Sequence, residues 1–176
     1  MKNPLKTIDN CVTDSVRVVL TGYNWFTGGD KYDLARDIHA LVPLVYIIGG
    51  VISHSSGGVS AGLGGAVGTF LSRKYPRNNI ARMEYLEGSI EESGMLSIEL
   101  EEKRDFSKKK GYTVGTAGLP LECFGVHSLG LGFMAMCARE IVTSLPDNLP
   151  KRRNVFVRAK NEVTTWVKLL SQQPAL

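Results

Sequence analysis

No aspartate, glutamate, lysine or arginine occurs between Ile38 and Ser72. A stretch that long without charge is not an ordinary solvated surface, because water does not stabilise so much apolar chain. Cysteine is scarce as well. Cys11, Cys123 and Cys137 are odd in number and lack paired spacing, which excludes a disulfide framework and fits a reducing, cytoplasmic or other intracellular compartment. Cys123 and His127 stand four apart, but two ligands fall short of a zinc site, so neither a metal nor a cofactor is expected. The first ten residues have no apolar core behind a basic start and do not read as a secretory signal. No internal repeat is present. The glycine-rich run lacks the Gly-Lys-Ser/Thr ending of a phosphate-binding loop, and Gly62-Leu63-Gly64-Gly65-Ala66 is wrongly placed for a dinucleotide fingerprint.

What is there is a chain of 176 residues, 43% hydrophobic and 22% charged, ordinary values for a folded domain. The net charge is +4, and the excess sits in the tail. From Pro146 onward, Lys151, Arg152, Arg153, Arg158, Lys160 and Lys168 face only Asp147 and Glu162. Residues 1–145 are therefore read as one domain, and residues 146–176 as a linker and a basic C-terminal helix packed on it. Lys151, Arg152, Arg153 and Arg158 form a basic patch that could meet nucleic acid or acidic lipid. The plainer reading of such a cluster is one solvated end of a helix.

Three placements compete for the uncharged run: a buried strand–turn–helix, a membrane segment, or an assembly surface. Leu41 to Ile52 has the character of a spanning helix but falls short of the ~20 residues required. Ser53 to Gly58 interrupts it, and the glycines that follow spread over several faces rather than one stripe. The buried strand–turn–helix is therefore expected, with membrane association as the alternative.

The rest of the chain reads as an alternation. Val16–Thr21, Leu44–Ile52, Ile80–Leu86 and Met95–Glu102 read as strands, the last by its alternating apolar and polar positions. Lys108 to Gly111 reads as a turn, with Tyr112–Thr116 returning as a hairpin partner. Tyr32–Leu41, closed by Pro43, reads as a helix burying Leu34, Ile38 and Leu41. Gly57–Tyr75, Leu129–Ser144 and Arg152–Leu170 also read as helices. Strands alternating with helices imply an α/β fold, a sheet with helices packed on it, with α+β as the alternative.

Within this frame, Ser53-His54-Ser55-Ser56-Gly57-Gly58 resembles the nucleophile elbow of the α/β-hydrolases. Asp33-Leu34-Ala35-Arg36-Asp37 and Arg73-Lys74-Tyr75-Pro76 resemble the flanking helices of that family. The resemblance implies a small serine hydrolase acting on an ester or other acyl substrate. Ser55 would be the nucleophile and the Ser56 N–H an oxyanion donor, with His127 as base and Asp105 orienting it. Ser60, in Gly58-Val59-Ser60-Ala61-Gly62, is the alternative nucleophile. The plainer reading makes His54 and His127 structural residues of turns or caps.

A second function, of another class, fits the same residues. Together the uncharged run and the apolar Gly125–Met136 segment exceed what one small core needs. The chain would then be a non-catalytic structural subunit of a virion, phage particle or membrane complex. Its partners would be further copies or other subunits, packed through the glycine-rich run.

Overall fold

In the computed structural model, which describes residues 4–89, 94–146, 149 and 163–164, the chain is helical throughout. Six helices are described: α1 (Pro4–Thr27), α2 (Lys31–Ile52), α3 (Ser56–Leu71), α4 (Lys74–Gly88), α5 (Gly94–Cys123) and α6 (His127–Ser144). Among the described residues there is no strand, which overturns the expected α/β fold and its α+β alternative. Val16–Thr21 lies inside α1, Leu44–Ile52 inside α2 and Ile80–Leu86 inside α4. Met95–Glu102, the Lys108–Gly111 turn and Tyr112–Thr116 all lie inside α5. The basic patch Lys151, Arg152, Arg153 and Arg158 lies outside the described residues.

The physical reason is visible helix by helix. β-branched residues are only weakly disfavoured in helices, and packing decides. In α1, Leu20 and Asn24 are buried at helical spacing while Val18 and Val19 are exposed. In α5 the buried positions are Leu100, Ser107, Gly111, Gly115 and Gly118, a helical stripe made mostly of small residues. Pro43 does not end α2, which runs on to Ile52. The helix expected at Tyr32–Leu41 is rotated from its anticipated face: Leu41 is exposed, while Tyr32, Ala35, His39, Val42, Tyr46 and Gly49 are buried.

Local chemistry sets the boundaries. The loop between α1 and α2 is only Gly28 to Asp30. Gly28 carries a φ of 82°, the left-handed conformation that glycine adopts without strain just past a helix end. Asp30 caps α2: its carboxylate accepts from the Tyr32 and Asp33 N–H groups, each at 2.9 Å. The Asp33 carboxylate accepts in return from the Asp30 N–H at 3.3 Å, closing a capping box.

Helices α2 and α6 run antiparallel. Lys31, on the first turn of α2, donates to the Leu145 carbonyl at 2.8 Å, just past the end of α6. At the other end, Gly49 lies against the His127 backbone. Helix α5 runs antiparallel to α6, with Gly111 beside Ile141, Gly115 beside Cys137 and Gly118 beside Phe133. The turn from α2 to α3 and the turn from α5 to α6 therefore lie at the same end of the molecule.

At the opposite end sits the larger core. Leu20, Tyr32, Leu34, Ala35, Ile80, Met83, Leu86, Leu100, Val142 and Leu145 pack there. An ion-pair network runs through it. The fully buried Lys31 ammonium lies 2.9 Å from Glu87, and Arg104 donates to the same carboxylate at 2.6 Å. Desolvation holds the Lys31 pKa below the usual lysine range, so Glu87 is what keeps the charge tolerable there. Nearer the middle of the bundle, Asp9 of α1 accepts from Lys108 at 2.8 Å and from Tyr112 at 2.5 Å. Those two hydrogen bonds, Lys108 first, hold the Asp9 carboxyl below its usual range.

Two outcomes are expected. Glu87→Ala leaves two cations in the core without their shared carboxylate and lowers stability by about 3 kcal/mol or more, measured by thermal or denaturant unfolding followed by circular dichroism. The depressed Asp9 pKa adds stability that is present above the unfolded-state value of 3.8 and is lost as pH falls through the lower folded-state value. Amide exchange in the first half of α1 should therefore speed up below that pH, and Asp9→Asn should remove this acid sensitivity while raising exchange at neutral pH.

Candidate functional site: the uncharged end of the bundle

Two uncharged stretches meet in space. Ile38–Ser72 forms most of α2 and all of α3. Residues 111–138, which end α5 and begin α6, contain Glu122 and no other aspartate, glutamate, lysine or arginine. They make a four-helix end, capped by the two turns and closed on its other side by charge. Arg139 and Glu140 on α6, Lys110 on α5 and Arg73 after α3 sit at that boundary. Lys110 bonds Glu140 at 3.0 Å. Arg139 contacts Glu140 and donates to the Nδ1 of the buried His39 at 3.1 Å. Because an arginine is always charged, that nitrogen of His39 acts as an acceptor.

Packing at this end is inverted relative to the rest of the molecule. A small core of Val42, Tyr46 and Ala66, with Leu129, Phe133 and Met136 of α6 against it, lies between the helices, and glycines line their closest contacts. A Cβ on Gly62 would stand 2.6 Å from the Tyr46 carbonyl, and one on Gly50 3.0 Å from the Gly58 carbonyl. The Tyr46 ring, only 3% exposed, fills the space left by Gly65 on α3 and Gly132 on α6. Most other large apolar side chains of α2 and α3 point outward. Leu41, Leu44, Ile48 and Val51 form an exposed stripe at helical spacing along α2, and Val59, Leu63, Val67 and Phe70 form another along α3. Leu119, Phe124 and Met134 extend this surface onto α5, the second turn and α6. Exposed apolar residues occur elsewhere, Val18 and Trp25 among them, but in an uncharged stretch of 12 residues between Arg17 and Asp30, much shorter than Ile38–Ser72. Lys31–Ile52 is also long and apolar enough, by length and composition, to cross a membrane.

The residues named for hydrolysis are placed as follows. Ser55 stands between two helices, not between a strand and a helix. It has an extended backbone (φ −132°, ψ 147°), and its hydroxyl accepts from the Gly58 N–H at 2.9 Å as the cap of α3. The strained residue of the turn is its neighbour His54, with φ 49°; an elbow would place that strain on the nucleophile. Ser56 opens α3 and Ser60 follows on it, both exposed. His127 does receive a carboxylate on Nδ1, at 2.8 Å, but from Glu122. Asp105 is an exposed partner of Lys109 at 2.6 Å. The hydrolase expectation rested on a strand leading into Ser55, and that strand is the second half of a helix. Among the described residues no group of three His, Cys, Asp or Glu side chains is placed to hold a metal ion.

Sequence reasoning passed over Tyr46 and Glu122. The signal for Glu122 was available: it is the lone carboxylate in its stretch, five residues before His127. Tyr46 gave none, because its neighbours are set by three helices at once.

Filling the Tyr46 contact should be costly. Gly62→Leu is expected to lower stability by about 1–3 kcal/mol through forced separation of α2 and α3. Gly64→Leu, which meets nothing within 4 Å, should be tolerated; thermal unfolding of both variants under the same conditions checks this. A scan of family models finds no match to this chain, and no curated protein or solved structure matches it.

Proposed function

We propose that the chain is a non-catalytic, membrane-seated subunit, held by two helical hairpins, α2–α3 and α5–α6, that enter the bilayer together. The observation that carries this reading is the inverted packing of the uncharged end. In water, burial of large apolar side chains drives helices together. In lipid that drive is absent, and helices associate through small residues that let backbones approach, while large apolar residues face the acyl chains. The two ends of this bundle follow these two rules separately: Leu, Ile, Met and Tyr fill the charged end, and Gly, Ala and Thr line the contacts of α3 at the uncharged end.

The dimensions fit such a seat. The 16 residues of α3 reach about 24 Å at 1.5 Å each, most of a hydrocarbon layer about 30 Å thick. Both turns lie at the deep end. Every backbone group between is in a helix, as a lipid environment demands. At the shallow end stand Arg73, Lys74, Arg77, Lys109 and Lys110, a basic rim of the kind retained on the cytoplasmic, anionic side of a membrane. The charged half, including α1 and α4, would then rest on that surface and be free to meet other subunits.

The test is flotation of the full chain with phosphatidylcholine vesicles in a density gradient. The expected result is co-flotation that survives high salt and alkaline washing. A monodisperse monomer in detergent-free buffer would overturn the reading, and a detergent-free oligomer that protects α3 would assign the same surface to protein contacts. A substitution sharpens the choice. Leu63 is 51% exposed, so Leu63→Arg should shift stability by no more than about 0.5 kcal/mol if the residue faces water. If it faces lipid, the change should cost about 2.5–3.5 kcal/mol of insertion and sharply reduce the floated fraction.

A further inference from the structure

At the level where the uncharged end meets the charged one, a cavity of about 140 Å³ opens between α2 and the α3–α4 junction. Its floor holds His39 and Thr69, both buried. Its apolar wall is Pro43 and Phe70, and its rim carries Arg73 and Arg77. We propose that this cavity binds the phosphate headgroup of an anionic phospholipid, an inference that rests on the membrane-seated reading and names the lipid class that the seat would select.

Charge is the first support. Arg73 and Arg77 are four residues apart and so share a face at the start of α4. Among the described residues neither guanidinium forms an ion pair with a carboxylate, and no acidic residue lines the cavity. The guanidiniums that do have carboxylate partners in this region, Arg36 with Asp33 and Arg139 with Glu140, are accounted for. His39 adds no charge, since its Nδ1 accepts from Arg139. The rim therefore presents two forked donors, suited to phosphate oxygens, and nothing in the cavity repels an anion.

Position and shape are the second support. The Arg73 guanidinium lies 4.3 Å from the centre of the Phe70 ring, which holds its charge at the boundary rather than out in solvent. Thr69 is already engaged with the Gly65 carbonyl at 2.9 Å, so the interior of the cavity offers little to a small hydrophilic ion. What it offers is an apolar wall continuous with the outward stripes at Leu41 and Leu44 on α2 and at Val67 on α3. A headgroup at the two arginines would lay its acyl chains along those stripes. Free phosphate would use the arginines and leave the wall idle, so the lipid fits better.

The experiment uses the full chain in nanodiscs made from a mixture of phosphatidylcholine and phosphatidylglycerol, with lipids retained on the protein counted by native mass spectrometry. One phosphatidylglycerol per chain should be retained in preference to phosphatidylcholine. The double variant Arg73→Gln/Arg77→Gln should reduce that retention on the order of tenfold, Arg17→Gln at the far, charged end should leave it unchanged, and millimolar inorganic phosphate should not displace the lipid. Equal retention by the double variant, equal retention of the two lipids, or displacement by phosphate alone would overturn the proposal. Flotation of the double variant with pure phosphatidylcholine vesicles shows that it is folded and inserted. A wild-type chain that floats but retains no phosphatidylglycerol sinks this inference alone, whereas a chain that enters no bilayer sinks both.

Discussion

The arrangement of this bundle depends on how closely three backbones approach one another around Tyr46. Its ring takes the volume that side chains on Gly65 and Gly132 would occupy, and its carbonyl lies where a Cβ on Gly62 would be. Helices pack at 8–10 Å depending on the residues between them, and here glycines on α3 and α6 leave room for the Tyr46 ring. With α2 drawn against both α3 and α6 at this end, no further described helix covers its remaining surface there. Leu41, Leu44, Ile48 and Val51 are exposed for that reason. The same geometry turns the large side chains of α3 outward.

Two kinds of packing share one chain. Around Lys31 the packing obeys the rules for water: a large apolar core, with a buried ammonium satisfied by Glu87 and the Leu145 carbonyl. Around Tyr46 glycines bring the backbones together and large side chains of α2 and α3 stand outside, the arrangement on which the proposed membrane seat rests. The changeover falls at one level, marked by His39 on α2, Arg73 after α3, Lys110 on α5 and Arg139 on α6. Helices α2 and α6 cross that level without a break, so the two regions are mechanically continuous. A displacement of the charged half would therefore be carried directly into the two hairpins.

Some of this was legible in the residues and some was misread for definable reasons. The absence of charge from Ile38 to Ser72 pointed to a segment with an unusual environment, and membrane association and an assembly surface were both among its readings. The fold class was misread because period was taken from large apolar residues alone. Met95 to Glu102 alternates, but α5 is held by Ser107, Gly111, Gly115 and Gly118, which an apolar pattern does not register. Leu41 was assigned to the core because it is large, whereas the buried stripe of α2 runs through His39 and Gly49. The elbow-like residues at Ser55 carried turn chemistry correctly, since Ser55 does cap a helix, but a capping serine and a nucleophile look alike until the preceding element is known.

By itself, then, the chain determined where charge is absent, where helices are capped, and that its basic residues gather after the uncharged runs. These are properties of single segments, set by side-chain hydration and by local hydrogen bonds such as the Asp30 capping box. Only the tertiary structure decided that two uncharged segments distant in sequence form one end, that Gly50, Gly62, Gly65 and Gly132 lie between helices while Leu41, Leu44 and Leu63 face outward, and that Arg73 and Arg77 share the rim of one cavity. Those outcomes follow from which helices can approach most closely, a property of pairs and triples of surfaces that no single stretch of sequence contains.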